Sequence, residues 1–305
     1  MTRNTRADLH LHTRYSDGSY EPTELVRRAS SLGFSVIAVT DHDSLGGVAE
    51  AVGEGKRLGV RVIPGVELST IYDDAEVHIV GLFVDPGNTE LLEVTDRAAS
   101  ERRRRLFRIT ELLGGLGVDI SAEEVLDEAA GASVGRVHVA QVLVEHGATG
   151  SITEAFLKYL RDDGPAYVRK WSPTPEECCR IIHGAGGVAV LAHPGEVVDE
   201  PKVRGLVNAG CRALEAYYPP YSRSLTDSYI QLAEKLDVGV SGGSDCHGSR
   251  KDQIFLGTVS VPLELVDDLI GRVDIKRASY VHADQSGPSR PVGRGANRGR
   301  VQRDG

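Results

Sequence analysis

The chain has 305 residues, 40% of them hydrophobic and 26% charged, with a formal net charge of −9. This is a globular composition, long enough to bury a full core as one domain with an insertion. No apolar run is long enough to cross a bilayer and the N-terminus lacks a signal-peptide core, so a cytoplasmic protein without a membrane partner is expected. The charge is uneven. Residues 286–305 hold five arginines and one aspartate, leaving a net −13 on the rest. An acidic body argues against a broad nucleic-acid surface but is compatible with a short or mononucleotide substrate held by metals. None of the four cysteines forms a Cys-x-x-Cys pair, which fits a reducing compartment.

The first element is a strand over Asp8-Leu9-His10-Leu11-His12. Its period of two sends His10 and His12 one way and both leucines the other, making a metal chelate. A polar turn with Asp17 follows, and Pro22 opens a helix that Gly33 closes. The strand Ser35 to Val39 ends at Thr40-Asp41-His42-Asp43. Ser44 is the expected N-cap of a helix near 45–58, with Asp43 as a second capping candidate. The strand Val60 to Ile63 then runs into Pro64-Gly65-Val66-Glu67. Three strands and two helices in so short a span signal βα units around a parallel sheet.

Glu76 to Val84 reads as a strand carrying His78. From about 90 to 165 arginines interleave with acids on helical spacing, and no strand pattern is evident. The βα rhythm then returns: a helix from Pro175 to His183, and a strand from Gly187 to Leu191 leading to His193. Helix 200–209 precedes Ala213 to Ala216, with Glu215, and helix 222–236 precedes the strand from Gly239 into Asp245 and His247. Phe255 to Val259 and Val261 to Ile270 close the fold. Ligand candidates at the C-terminal ends of successive strands indicate an α/β fold of (β/α)-barrel type. The boundaries expected are a discontinuous barrel, 1–90 and 166–283, with a helical insertion, 91–165, capping the active site. The Arg/Gly-rich tail, 284–305, has little to bury and should be disordered.

His10, His12, His42, His78, His193 and His247, with Asp17, Glu67 and Asp245, make nine metal-ligand candidates. One catalytic zinc uses about three protein ligands, so nine suit two or three ions. Mixed imidazole and carboxylate donors suit Mn2+, Zn2+ or Fe2+. Cys246 alternates with its neighbours and should face the wall. Asp8 and Asp41 read as carboxylates that orient histidine ligands or support local structure. His146, His183 and His282 have no such context.

The strings DLHLHT, SDG, AVTDHD, PGVE, VHIVGL, GRVHVA, AHPG and GGSDCHG resemble the polymerase and histidinol phosphatase (PHP) family of metal-dependent phosphoesterases. The resemblance spans about residues 7–275. It is strongest to the branch holding nucleoside 3′,5′-bisphosphate phosphatases and 5′→3′ exoribonucleases on short RNA. It implies a distorted barrel of about seven strands. His10, His12, Glu67 and Asp245 would surround one ion, and Glu67 would bridge to a second held by His78 and His193. Asp17, His42 and His247 would define a third, Mn2+ being the favoured metal. It also implies that Arg136 and His138 bind phosphate and act in catalysis. In an extended Gly135-Arg136-Val137-His138 the two would share a face. Relatives commonly carry histidine before the serine where this chain has Tyr221-Ser222. Tyr218, Tyr221 and Ser222 are therefore candidate substrate contacts, and leaving-group protonation would fall to His138 or to water.

The expected function is a phosphohydrolase removing the 3′-phosphate of nucleoside 3′,5′-bisphosphates by attack of metal-activated hydroxide, with Arg136 offsetting charge on the phosphoryl oxygens. The alternatives are a 5′→3′ exoribonuclease on short single-stranded RNA, a cyclic nucleotide phosphodiesterase, a histidinol-phosphate phosphatase, and a non-catalytic metal-stabilised scaffold. No obligate protein partner is expected.

Overall fold

A computed structural model describes residues 6–195, 199–250 and 255–273. Residues 274–283 of the expected barrel, His282 and the whole tail from 284 lie outside these. Eight strands form one sheet: β1 (Arg6–Asp8), β2 (Phe34–Val39), β3 (Arg61–Tyr72), β4 (Ala75–Leu82), β5 (Val188–Leu191), β6 (Ala213–Tyr217), β7 (Gly239–Gly242) and β8 (Val261–Pro262). The order is β7-β6-β5-β4-β3-β2-β1-β8. It is parallel except where β4 runs against β3 and β5, and β8 against β1. The β3–β4 pair is a hairpin turning at Asp73 and Asp74, both at positive φ.

The sheet curls until its two ends meet beyond their ladders. Leu9 N–H donates to the Gly242 carbonyl, Asp245 N–H to that of His10, and His12 N–H to that of Cys246. This closes a barrel-like wall at the end where the metal-ligand candidates sit. A Cβ at Gly243 would come within 2.4 Å of the His10 backbone nitrogen, so only glycine permits the closure.

Ala7, Val36, Ala38, Ile63, Val80 and Val190 fill the interior with α10 (Leu263–Gly271) against them. Outside, α1 (Pro22–Ser31) and α2 (Val48–Leu58) cover β1–β3. Helices α7 (Pro175–Gly184), α8 (Glu200–Asn208) and α9 (Arg223–Leu236) cover the rest. Between β4 and α7 lie α3 (Thr89–Gly115), α4 (Ala122–Ala129), α5 (Arg136–Glu145), α6 (Ile152–Ala155) and a π turn, Phe156–Leu160. These helices share an apolar cluster of their own, from Leu106 to Ala166.

Three local expectations are corrected. Ser44 and Asp43 do not cap α2, whose N-cap is Gly47; the Asp43 carboxylate instead accepts from Arg102 on α3 and from the Ser69 N–H. Leu9 and Leu11 do not share a face. Leu9 joins the interior cluster and Leu11 packs outward, because the ladder with β2 ends at Asp8 and the chain twists across to the segment after β7. Phe255 to Val259, half of the apolar pair expected to close the fold, is a turn. Arg136 and His138 are not in an extended stretch but at the first and third positions of α5, where Gly135 starts the helix by donating its N–H to His138 Nδ1.

Candidate metal centre

Glu67 is the hub. It lies within β3, wholly buried, its backbone bridged to His42 just past β2. Around its Oε2 stand His12 Nε2 and His10 Nε2, each at 3.2 Å, and His42 Nδ1 at 3.0 Å. Around its Oε1 stand His78 Nδ1 at 3.0 Å and His193 Nε2 at 3.1 Å. Asp245 Oδ1 lies 3.1 Å from His12 Nε2, and Asp17 Oδ1 3.2 Å from His247 Nε2. All nine expected residues are thus brought together, from past the ends of β1, β2, β5 and β7, from within β3 and β4, and from the turn after β1.

Five imidazoles cannot all be satisfied by one carboxylate. Glu67 Oε2, His10 Nε2, His12 Nε2, His42 Nδ1 and His78 Nδ1 are buried yet make no hydrogen bond of proper geometry. Donors about 2.0–2.2 Å from a shared cation would stand roughly 3 Å from one another, which is the spacing seen. Among the described residues three groups have donor atoms all within 4.8 Å of one another: His10, His12, Glu67 and Asp245; His12, Asp17, His42 and His247; and His42, Glu67 and His78. The donor set fits divalent cations.

Electrostatics point the same way. Burial alone would lower His12 and His78, but the carboxylates of Asp245 and Glu67 hold His12 up to about 9, and Glu67 and Glu76 hold His78 at about 9. Burial wins at His42, brought down to about 4. Burial would raise Glu67 and Asp17, yet the surrounding histidines hold both well below the carboxylate range. Positive charge is what this cluster lacks.

Asp41 and Asp8 take the second of the two roles expected of them, support of local structure. Asp41 accepts from Thr13 N–H at 2.7 Å and from the Ser16 hydroxyl at 2.6 Å, and that hydroxyl lies 3.5 Å from His12 Nδ1. Asp8 accepts from the backbone of Ser244 and His10, so it braces the closure rather than a ring. Two carboxylates absent from the sequence-derived site orient ligand rings: Glu76, whose Oε1 is 3.0 Å from His78 Nε2, and Glu215. Glu215 Oε1 is 3.0 Å from His10 Nδ1 and its Oε2 accepts the His193 N–H at 2.7 Å. Its position in a strand between two ligand-bearing strands was the available signal.

Arg136, His138, Tyr218 and Tyr221 also lie around this end, in different roles. Arg136 reaches Asp162, the Leu160 carbonyl and Glu76. His138 is buried, and burial pulls its imidazole down to about 4 despite the nearby Asp17. The Tyr218 hydroxyl is 3.3 Å from Asp245 Oδ2 and its ring 5.6 Å from that of His193. Ser222 caps α9, accepting from Leu225 N–H on an exposed edge. Cys246 faces the wall, buried with Leu11 and Tyr20. A basic group is internal: Arg102 and Arg105 lie on the buried face of α3, and Lys170 bonds Glu76.

Residues 8–160 match the PHP domain. The chain belongs to the PHP-domain family of metal-dependent phosphoesterases. Over 248 residues, 79% of this PHP chain and 86% of the relative, it is 34% identical to a 3′,5′-nucleoside bisphosphate phosphatase of Chromobacterium violaceum. It is 39% identical over 247 residues to the 5′-3′ exoribonuclease Rnm of Escherichia coli, covering 79% of this chain and 84% of that one. A solved structure from Bifidobacterium adolescentis, described as a candidate metal-dependent phosphoesterase, superposes with a TM-score of 0.81 at 28% identity, covering 87% of this chain and 96% of that chain. Among the described residues no helix is long and apolar enough to cross a membrane.

Proposed function

We propose that this PHP phosphoesterase removes the 3′-phosphate of nucleoside 3′,5′-bisphosphates. The observation that carries the reading is a cavity of about 130 Å³ with Asp17, His42 and His78 on one wall and Arg102, Arg105, Arg136 and Lys170 on the other. Asp43 pairs with Arg102, and Glu76 is shared by Lys170 and Arg136. Three carboxylates, counting Asp162 on Arg136, for four cations leave positive charge beside the metal centre, and Arg105 Nη2 is buried without a partner. A substrate with one phosphate at the ions and a second anionic group here suits that asymmetry.

Two or three divalent ions would complete the centre, with Mn2+ favoured and Zn2+ or Fe2+ also suited to these mixed donors. His10, His12, Glu67 and Asp245 would hold one; Glu67, His78 and His193 a second; and Asp17, His42 and His247 a third. Bound there, they supply Lewis-acid polarisation of the phosphoryl group and acidify water. Arg136 orients the substrate and offsets charge on the phosphoryl oxygens. His138 is neutral near pH 7, and since its Nδ1 accepts the Gly135 N–H its Nε2 bears the proton, so it donates a hydrogen bond rather than transferring a proton. The helices of 91–165 would act as a cap over the described part of the barrel, within 6–90 and 166–273.

The second reading, 5′→3′ cleavage of short 5′-phosphorylated RNA, is favoured by the likeness to the exoribonuclease and needs the same two anionic subsites. The test assays adenosine 3′,5′-bisphosphate and a 5′-phosphorylated RNA trimer side by side on Mn2+-reconstituted protein, with His193→Ala as blank. Faster release of phosphate and AMP from the bisphosphate is expected. Faster stepwise loss of 5′ nucleotides would make RNA the substrate.

A further inference from the structure

The turn after β5 has an unusual backbone. The last ladder-type bond is Ala192 N–H to the His78 carbonyl; His193 then takes φ +24° and Gly195 φ +115°. A non-glycine residue at positive φ persists only where its surroundings over-determine it. Three side chains do so here. Glu215 takes the His193 N–H at 2.7 Å, the Tyr221 hydroxyl takes the Gly195 N–H at 2.9 Å, and the Tyr229 hydroxyl donates to the Gly195 carbonyl at 3.2 Å. Tyr229 is wholly buried, and its ring stacks on that of Tyr221 at 5.5 Å. The result of the turn is His193 Nε2 held 3.1 Å from Glu67 Oε1.

We propose that Tyr221 and Tyr229 are positioning residues, a paired clamp that holds the His193-Pro194-Gly195 turn so that His193 serves its metal. The inference rests on reading His193 as a metal ligand and moves Tyr221 from substrate contact to support of the site. Its hydroxyl is engaged with backbone on the far side of the turn from Glu67. Glu215 is a poorer probe of this role because it also holds His10. The Tyr221 and Tyr229 hydroxyls bond the Gly195 backbone, and a Phe variant keeps the Tyr221 ring packed 5.1 Å from that of Tyr218.

The test compares wild type with Tyr221→Phe and Tyr229→Phe, which keep the stacked rings and remove one hydroxyl each. Mn2+ binding to metal-stripped protein is followed by equilibrium dialysis, alongside kcat and KM. Loss of support behind a ligand typically weakens metal affinity about 10–100-fold. Such a loss is expected for one class of ion, with the remainder unchanged and the metal-free Tm moved by no more than about 4 °C. The fall in kcat should recover at higher Mn2+, with KM steady. An unchanged Mn2+ titration in both variants overturns the clamp. So does a raised KM with unaltered metal affinity, which would mark a substrate contact, or a uniform loss of all ions together with Tm, which would mark general structure. If wild type hydrolyses no nucleotide the proposed substrate fails, while the Mn2+ titration still decides the clamp.

Discussion

Glu215 is one carboxylate serving both halves of the centre, through the ring of His10 and the backbone of His193. Glu215→Gln keeps its size and removes the charge that fixes the His10 tautomer. Metal affinity measured by dialysis should fall about 10–100-fold. Protons also compete with metal here. In the metal-free protein Glu67 and Asp245 or Glu76 keep His12 and His78 protonated to about 9, so binding must displace those protons. Metal affinity should therefore rise with pH and level off above about 9. Calorimetry in buffers of different ionisation enthalpy should detect proton release at pH 7; none would contradict the pairing.

Helix α3 meets the barrel through a charge buried inside its apolar stripe. Leu91, Val94, Ala98, Arg102, Leu106, Ile109 and Leu113 share the inward face, and Arg102 spends its guanidinium on Asp43. Arg102 offsets the burial that would otherwise raise Asp43, holding its carboxylate below the usual range. Arg102→Ala strands that carboxylate in the interior, which should cost about 3–5 kcal/mol in urea denaturation. Because the Asp43 pKa is depressed on folding, its contribution is present above the ordinary carboxylate pKa and is lost as pH falls through the folded value. The urea difference between wild type and the variant should narrow in acid. Helix α5 overrides the apolar alternation of Arg136-Val137-His138-Val139: the Gly135 N–H donates to His138 Nδ1 and the His138 N–H to the Gly135 carbonyl, which starts a helix where alternation predicts an extended stretch.

At the scale of the molecule, the barrel is closed at the same end at which its unpaired imidazoles and carboxylates gather. Bound ions should therefore stabilise the fold, by about 2.7 kcal/mol at a free concentration one hundred times Kd. That is roughly 5–10 °C in Tm for a domain of this size, lost on chelation. The gap should widen with pH. His12 and His78 gain stability in the metal-free fold as imidazolium, fully present below their unfolded pKa near 6.5 and lost as pH rises through about 9, while metal binding strengthens over the same range. Thermal melts with and without EDTA at pH 6.5 and 9 check this; a gap that shrinks with pH would refute it.

The βα rhythm, the placement of most ligand candidates at or near strand ends and the helical character of 91–165 were legible in the chain, because period and end residues are local properties. The wall-facing Cys246 followed from alternation in the same way. What only the tertiary structure decided was which groups meet. The reversal of β4, the closure of residues 9–12 onto 242–246, and the choice of Glu215 rather than Asp8 to orient His10 all depend on contacts between segments far apart in sequence. Arg102 and Arg105 turned inward for the same reason: a charge enters a core only where a distant partner waits for it, and no local pattern records that partner.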